Sequence, residues 1–158
     1  KRAAMTQVET ALDTGAPFAD VISDLTGLGV EVPAALAEAA ANGVPTLAGL
    51  QESFPEAARA ALSADREAAA ESGETGGLTG FIKSQLGARS LTPQEGDGTD
   101  AVLSRVEAAL RAGLLADALT ELETLPEGAQ PAMADWTALA AGRDGVLAAA
   151  KVLSDSLN

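Results

Sequence analysis

The chain has 158 residues, no cysteine and no histidine, and a formal net charge of −13. That length suits one domain, or two small ones sharing a core. Disulfide and thiolate chemistry are excluded, the commonest general base and metal ligand is missing, and so acidic a chain repels nucleic acid, whose phosphates call for Lys and Arg.

The predicted elements are helical nearly throughout, because the apolar residues recur at helical spacing. With three Phe, one Trp and no Tyr, the core has to be built from Leu, Val, Ile and Ala. Four short helices are expected up to about Ala70. In one of them Phe18, Val21, Ile22, Leu25 and Leu28 fall on a single face. Pro17, Pro33, Pro45, Pro55 and Pro131 each stand where an apolar-periodic segment opens, a place where the missing N–H would have no partner anyway. Gly15, Gly43 and Gly113 stand near predicted helix ends, as C-terminal caps do. A loop from Ser72 to Gly77, a short helix at about Leu78 to Arg89 and a Pro- and Gly-bearing linker from Thr92 to Gly98 follow. The last three predicted helices are Thr99–Ala112, with Val102, Leu103, Val106 and Leu110 on one face; Leu115–Leu125, with Leu115, Ala118, Leu119 and Leu122; and Pro131–Leu157, lined by Trp136, Leu139, Ala140, Val146, Leu147, Leu153 and Leu157. No run alternates as a strand does. The expected fold is all-α, a compact bundle of about seven helices with a helical hairpin in its C-terminal part. Three regions are expected: residues 1–71, a central segment 72–94, and a C-terminal helical domain 95–158.

The central segment departs from the rest of the chain in charge. Residues 1–77 carry 12 acids and 4 bases, and residues 95–158 carry 11 acids and 4 bases. Residues 78–94 carry no acid and 2 bases, Lys83 and Arg89. On a helix Leu78, Phe81, Ile82 and Leu86 span an arc of roughly 140°, with Lys83, Ser84 and Gly87 on the other side. Gly80 and Gly87 weaken that helix in water by about 1 kcal/mol each relative to Ala, as suits a segment that orders on an interface. The competing reading is one more core helix.

The remaining motifs carry little chemistry. Glu95-Gly-Asp-Gly-Thr-Asp100 resembles a calcium loop but has Asp100 where the loop needs Gly and Val106 where it needs a bidentate Glu. Gly73 to Gly80 is glycine-rich without the Gly-Lys-Ser/Thr that holds phosphates. Glu67 and Glu71 read as a solvated face, and Glu121 and Glu123 point apart on a helix. Nothing marks a Ser–Lys dyad among Lys1, Lys83 and Lys151. Trp136 reads as a core or interface anchor rather than a ligand platform. The expectation is no enzyme, no cofactor and no metal.

In the run from Glu95 to Leu153, Gly96 before a helix, Leu103-Ser-Arg105-Val-Glu107, Gly113 with Ala118-Leu119, Leu125-Pro126, and Trp136 followed by Arg143 form an ordered set that resembles a mitofilin domain. Upstream, Gly15–Phe18 and Gly43–Pro55 resemble bacterial members. Leu114 stands where the family pattern has Asp in Gly-Asp-Leu. The resemblance implies a membrane-shaping protein of cristae or of bacterial intracytoplasmic membranes, with an amphipathic lipid-binding helix just before the C-terminal domain. Leu78, Phe81, Ile82, Lys83, Leu86 and Arg89 occupy that position. It further implies an anionic phospholipid membrane as partner, homo-oligomerisation as a dimer, and an outer-membrane or envelope protein as a further partner, with no nucleic acid. Beginning at Lys1, the chain reads as a piece of a longer protein. It would be anchored in an inner membrane by a segment upstream and face the periplasm, or the intermembrane space in a mitochondrion. The alternative is a helical protein-interaction adaptor that touches no lipid.

Overall fold

In chain order the helices are α1 (Arg2–Thr14), α2 (Ala19–Gly27), α3 (Ala34–Ala39), α4 (Leu47–Glu71), α5 (Thr99–Arg111), α6 (Leu115–Leu122) and α7 (Gln130–Ser156). The computed structural model describes residues 1–72 and 95–157. Among these the fold is all-α, with no strand. The last three helices start and stop within three residues of the expected bounds, because their signals are local. Gly113 takes a left-handed φ of +76°. There Leu114 N–H donates to Ala109 O and Gly113 N–H to Leu110 O, the paired bonds of a Schellman cap. The chain then turns directly into α6, which packs on α5 as the expected hairpin.

Two compact units emerge from the contacts. The first is formed by Lys1–Leu50 together with Ala138–Asn158, the second by Gln51–Thr137. In the first, α1 buries Met5, Val8, Ala11 and Leu12, at helical spacing. These side chains share a core with Phe18, Ile22, Leu25, Val30, Leu36, Val44, Val146, Ala150 and Leu153. Each large apolar side chain so buried contributes about 1.5–3 kcal/mol against exposure. In the second, α5 buries Val102, Leu103, Val106 and Leu110, and α6 buries Leu115, Ala118 and Leu122. Phe54 and Trp136 meet edge to face there, with ring centroids 5.2 Å apart and planes at 69°. That geometry sets the positive ring edge against the negative face. Trp136 is 5% exposed, so it is a core anchor.

Three expectations are corrected. Pro55 does not open a helix but lies inside α4. Its ring is on an exposed side of the helix, away from the Phe54 and Ala61 side chains that enter the core. Leu28 does not join the α2 face and is 56% exposed. The helix closes at Gly27, Gly29 turns left-handed, and Val30 N–H bonds back to Leu25 O. Val30 thereby takes the buried place beside Leu25 that the helical period gives to Leu28. Leu139 is 52% exposed, lying roughly 90° from the bearing shared by Met133, Trp136 and Ala140 at 100° per residue.

Candidate functional site

The six residues to which the sequence points, Leu78, Phe81, Ile82, Lys83, Leu86 and Arg89, lie outside the described residues. So do the loop from Gly73 and the linker as far as Gln94. The residues that flank them belong to the second unit, and there the geometry is specific.

On the upstream side α4 ends at Glu71, and Ser72 folds back on it, N–H to Ala68 O and hydroxyl to Ala69 O. On the downstream side the chain returns through Glu95–Gly98 into α5. Two side chains fix that return. The Arg105 guanidinium donates to Gly96 O at 2.8 Å and, through Nε, to Glu121 Oε2 at 2.7 Å. One arginine on α5 thus ties the incoming strand of chain to α6. The pair is partly shielded, with 25% and 33% of the two side chains exposed, so it contributes more than a fully solvated pair, whose typical worth is 0–1 kcal/mol. Deeper in, the Thr99 hydroxyl, 4% exposed, donates to Asp65 Oδ2 at 2.8 Å. Asp65 comes from α4, so this bond joins the helix that leads out to the helix that leads back. It also sets a carboxylate by the N-terminus of α5, where unpaired N–H groups favour negative charge. Gly98, the N-cap of α5, offers no side chain of its own. Gly128 closes the arrangement from the other side. A Cβ there would come within 2.9 Å of Ala68 Cβ and 3.0 Å of Asp65 Oδ1.

Sequence reasoning did not single out Asp65, Thr99 or Gly128. The available signal was a buried-position threonine at a helix start, which any solvent-facing cap imitates. Arg105 stands out in the sequence only as part of Leu103-Ser-Arg105-Val-Glu107.

A second polar centre lies in the first unit. Arg143 of α7 is 7% exposed. Its Nη1 donates to Leu12 O and to Pro45 O, both at 2.9 Å. Leu12 is in the last turn of α1, where carbonyls run out of helical donors and the helix dipole is negative. Where α1 ends, Gly15 and Gly43 meet backbone to backbone, each at positive φ. One guanidinium therefore joins the end of α1, the turn before α4, and α7.

The grooves of the surface are open. One in the second unit, of about 240 Å³, is lined by Gln51, Phe54, Glu107, Leu110 and Arg111. In the first unit one of about 460 Å³ runs between α1 and α7 beside Glu9, Asp13, Lys151 and Asp155. Among the described residues no group of three or more acidic side chains is placed to hold a metal ion, and no helix is long and apolar enough to cross a membrane. Every buried side-chain polar atom among them has a hydrogen-bond partner. No family model, curated protein or solved structure matches the chain.

Proposed function

We propose that this chain is a membrane-binding and membrane-shaping module of mitofilin type, acting through residues 78–89. The single observation that carries the reading is the local reversal of charge. Seventeen residues with two bases and no acid interrupt a chain whose flanking parts carry 12 and 11 acids. Within them Leu78, Phe81, Ile82 and Leu86 would insert between lipids, while Lys83 and Arg89 hold anionic head groups.

The energetics favour weak, reversible binding. Partly burying four large apolar side chains gives ~4–8 kcal/mol. Two bases near anionic lipid add about 1 kcal/mol each. Ordering about ten residues takes back most of that. Self-association would supply the rest through effective concentration. The anchored flanks give support of a mechanical kind. The Asp65–Thr99 bond holds together the helices before and after the segment, so a wedge inserted there would be tied at both ends to one folded unit. Shallow insertion expands one leaflet and favours curvature. In this reading the protein is inner-membrane-associated, forms a dimer, and has no catalytic role.

The test is co-sedimentation with vesicles of neutral or anionic phospholipid. Wild type should bind the anionic vesicles and tubulate them. Deletion of residues 78–91, and the double variant Phe81→Asp/Ile82→Asp, should do neither. If the double variant binds and tubulates as wild type does, the mechanism is wrong. If pure lipid captures nothing while detergent-solubilised membranes yield a specific protein partner that needs residues 78–91, the chain is the adaptor instead.

A further inference from the structure

The turn after α3 contains Asn42-Gly43, and the chain's other asparagine is Asn158. Asparagine followed by glycine is the pair most prone to spontaneous deamidation. Glycine has no side chain to hinder its backbone nitrogen, which attacks the neighbouring carboxamide. Asn42 is exposed, and its carboxamide makes no hydrogen bond among the described residues. The nucleophile is differently placed. Gly43 N–H donates to Ala39 O at 2.8 Å. Gly43 also sits at φ +73°, where a Cβ would fall inside the van der Waals envelope of Gly15 O and 3.0 Å from Ala16 O. Ring closure needs that nitrogen released from Ala39 O, and the close apposition of Gly43 with Gly15 holds the turn in place.

We propose that Asn42 is a latent deamidation site, which the fold of the first unit holds inert and which opening of the turn at residues 41–46 releases. In the reaction the Gly43 amide nitrogen gives its proton to solvent base and attacks Asn42 Cγ. The new C–N bond forms as the C–NH2 bond breaks, and ammonia leaves with a proton. Water then opens the succinimide at either carbonyl, leaving aspartate or isoaspartate at position 42. Either product adds a negative charge. Isoaspartate also inserts a methylene into the backbone beside the tight Gly15–Gly43 contact, so the turn cannot re-form as it was. The modification would permanently mark chains in which that turn has opened.

Because attack requires the open turn, the native rate is the unfolded rate scaled by the fraction of time spent open. The experiment incubates the whole chain at mildly alkaline pH, with and without denaturing guanidinium chloride. Peptide mass mapping then follows conversion at position 42, with Asn42→Gln as the blank. The expected native rate is at least about tenfold below the denatured one, a factor equal to ~1.4 kcal/mol of opening free energy. Arg143→Met, which frees the Pro45 carbonyl, should raise the native rate. Equal rates with and without denaturant would overturn the proposal. So would an absence of conversion in denaturant, or a native rate that Arg143→Met leaves unchanged.

Discussion

Arg143 shows how one buried charge is stabilised without a carboxylate. Its only partners among the described residues are two backbone carbonyls, Leu12 O and Pro45 O. Both are strong acceptors where local backbone bonding has run out, so the guanidinium and the carbonyls satisfy each other. Arg143→Met keeps the aliphatic volume and removes the donor. It should destabilise the protein by about 2–4 kcal/mol, the loss of charged hydrogen bonds plus buried carbonyls left unpaired, read as a lower midpoint in urea unfolding. Leu28 makes the opposite case. It is a large apolar residue at the right helical spacing, yet it is 56% exposed. Leu28→Lys should change the urea midpoint by an amount equivalent to less than about 0.5 kcal/mol. A large loss there would mean that the side chain is covered in solution.

At the scale of elements, two helices carry local chemistry that could be improved. The N-cap of α6 is Leu114, which is 52% exposed and makes no capping hydrogen bond. A short side-chain oxygen there would accept from the first free N–H groups of α6. Leu114→Asp should therefore stabilise by about 1 kcal/mol, seen as a raised thermal midpoint. In α4, Pro55 removes the donor for the carbonyl of Gln51 in the middle of a 25-residue helix. Pro55→Ala returns that bond and should stabilise by about 1–3 kcal/mol. Unchanged helicity and an unchanged midpoint would mean that the carbonyl of Gln51 already has another donor, such as water.

For the whole molecule, charge governs both stability and the proposed activity, with opposite signs. At a net charge of −13 the folded chain repels itself, and so excess negative charge destabilises the compact state. Raising ionic strength from ~0.01 to ~0.15 M shortens the screening length from about 30 to about 8 Å. The thermal midpoint should rise over that range. Binding to anionic vesicles should fall with the same salt, as the pull of Lys83 and Arg89 on head groups is screened. A midpoint that falls with salt would point to ion pairs such as Arg105–Glu121 as the dominant electrostatic contribution. Trp136, the only Trp in a chain without Tyr, is a convenient probe of the second unit in either measurement.

What the residues alone determined was whatever depends on neighbours within a turn or two. The bounds of α5, α6 and α7, the buried faces of α5 and α6, the positive-φ glycines at positions 15, 43 and 113, and the all-α class follow from apolar period and from Gly punctuation. The amphipathy and charge of residues 78–89 are local in the same sense and rest on the sequence alone. Only the tertiary structure decided what required distant parts of the chain to meet. Arg143 finds Leu12 across 131 residues and Pro45 across 98. Asp65 finds Thr99 across 34. The last helix contributes Val146, Ala150 and Leu153 to a core begun by Met5 and Val8. A helical period says which side of an element is apolar. It does not say which other element will cover that side, or which orphaned carbonyl a buried cation will reach, because those depend on how the chain closes on itself.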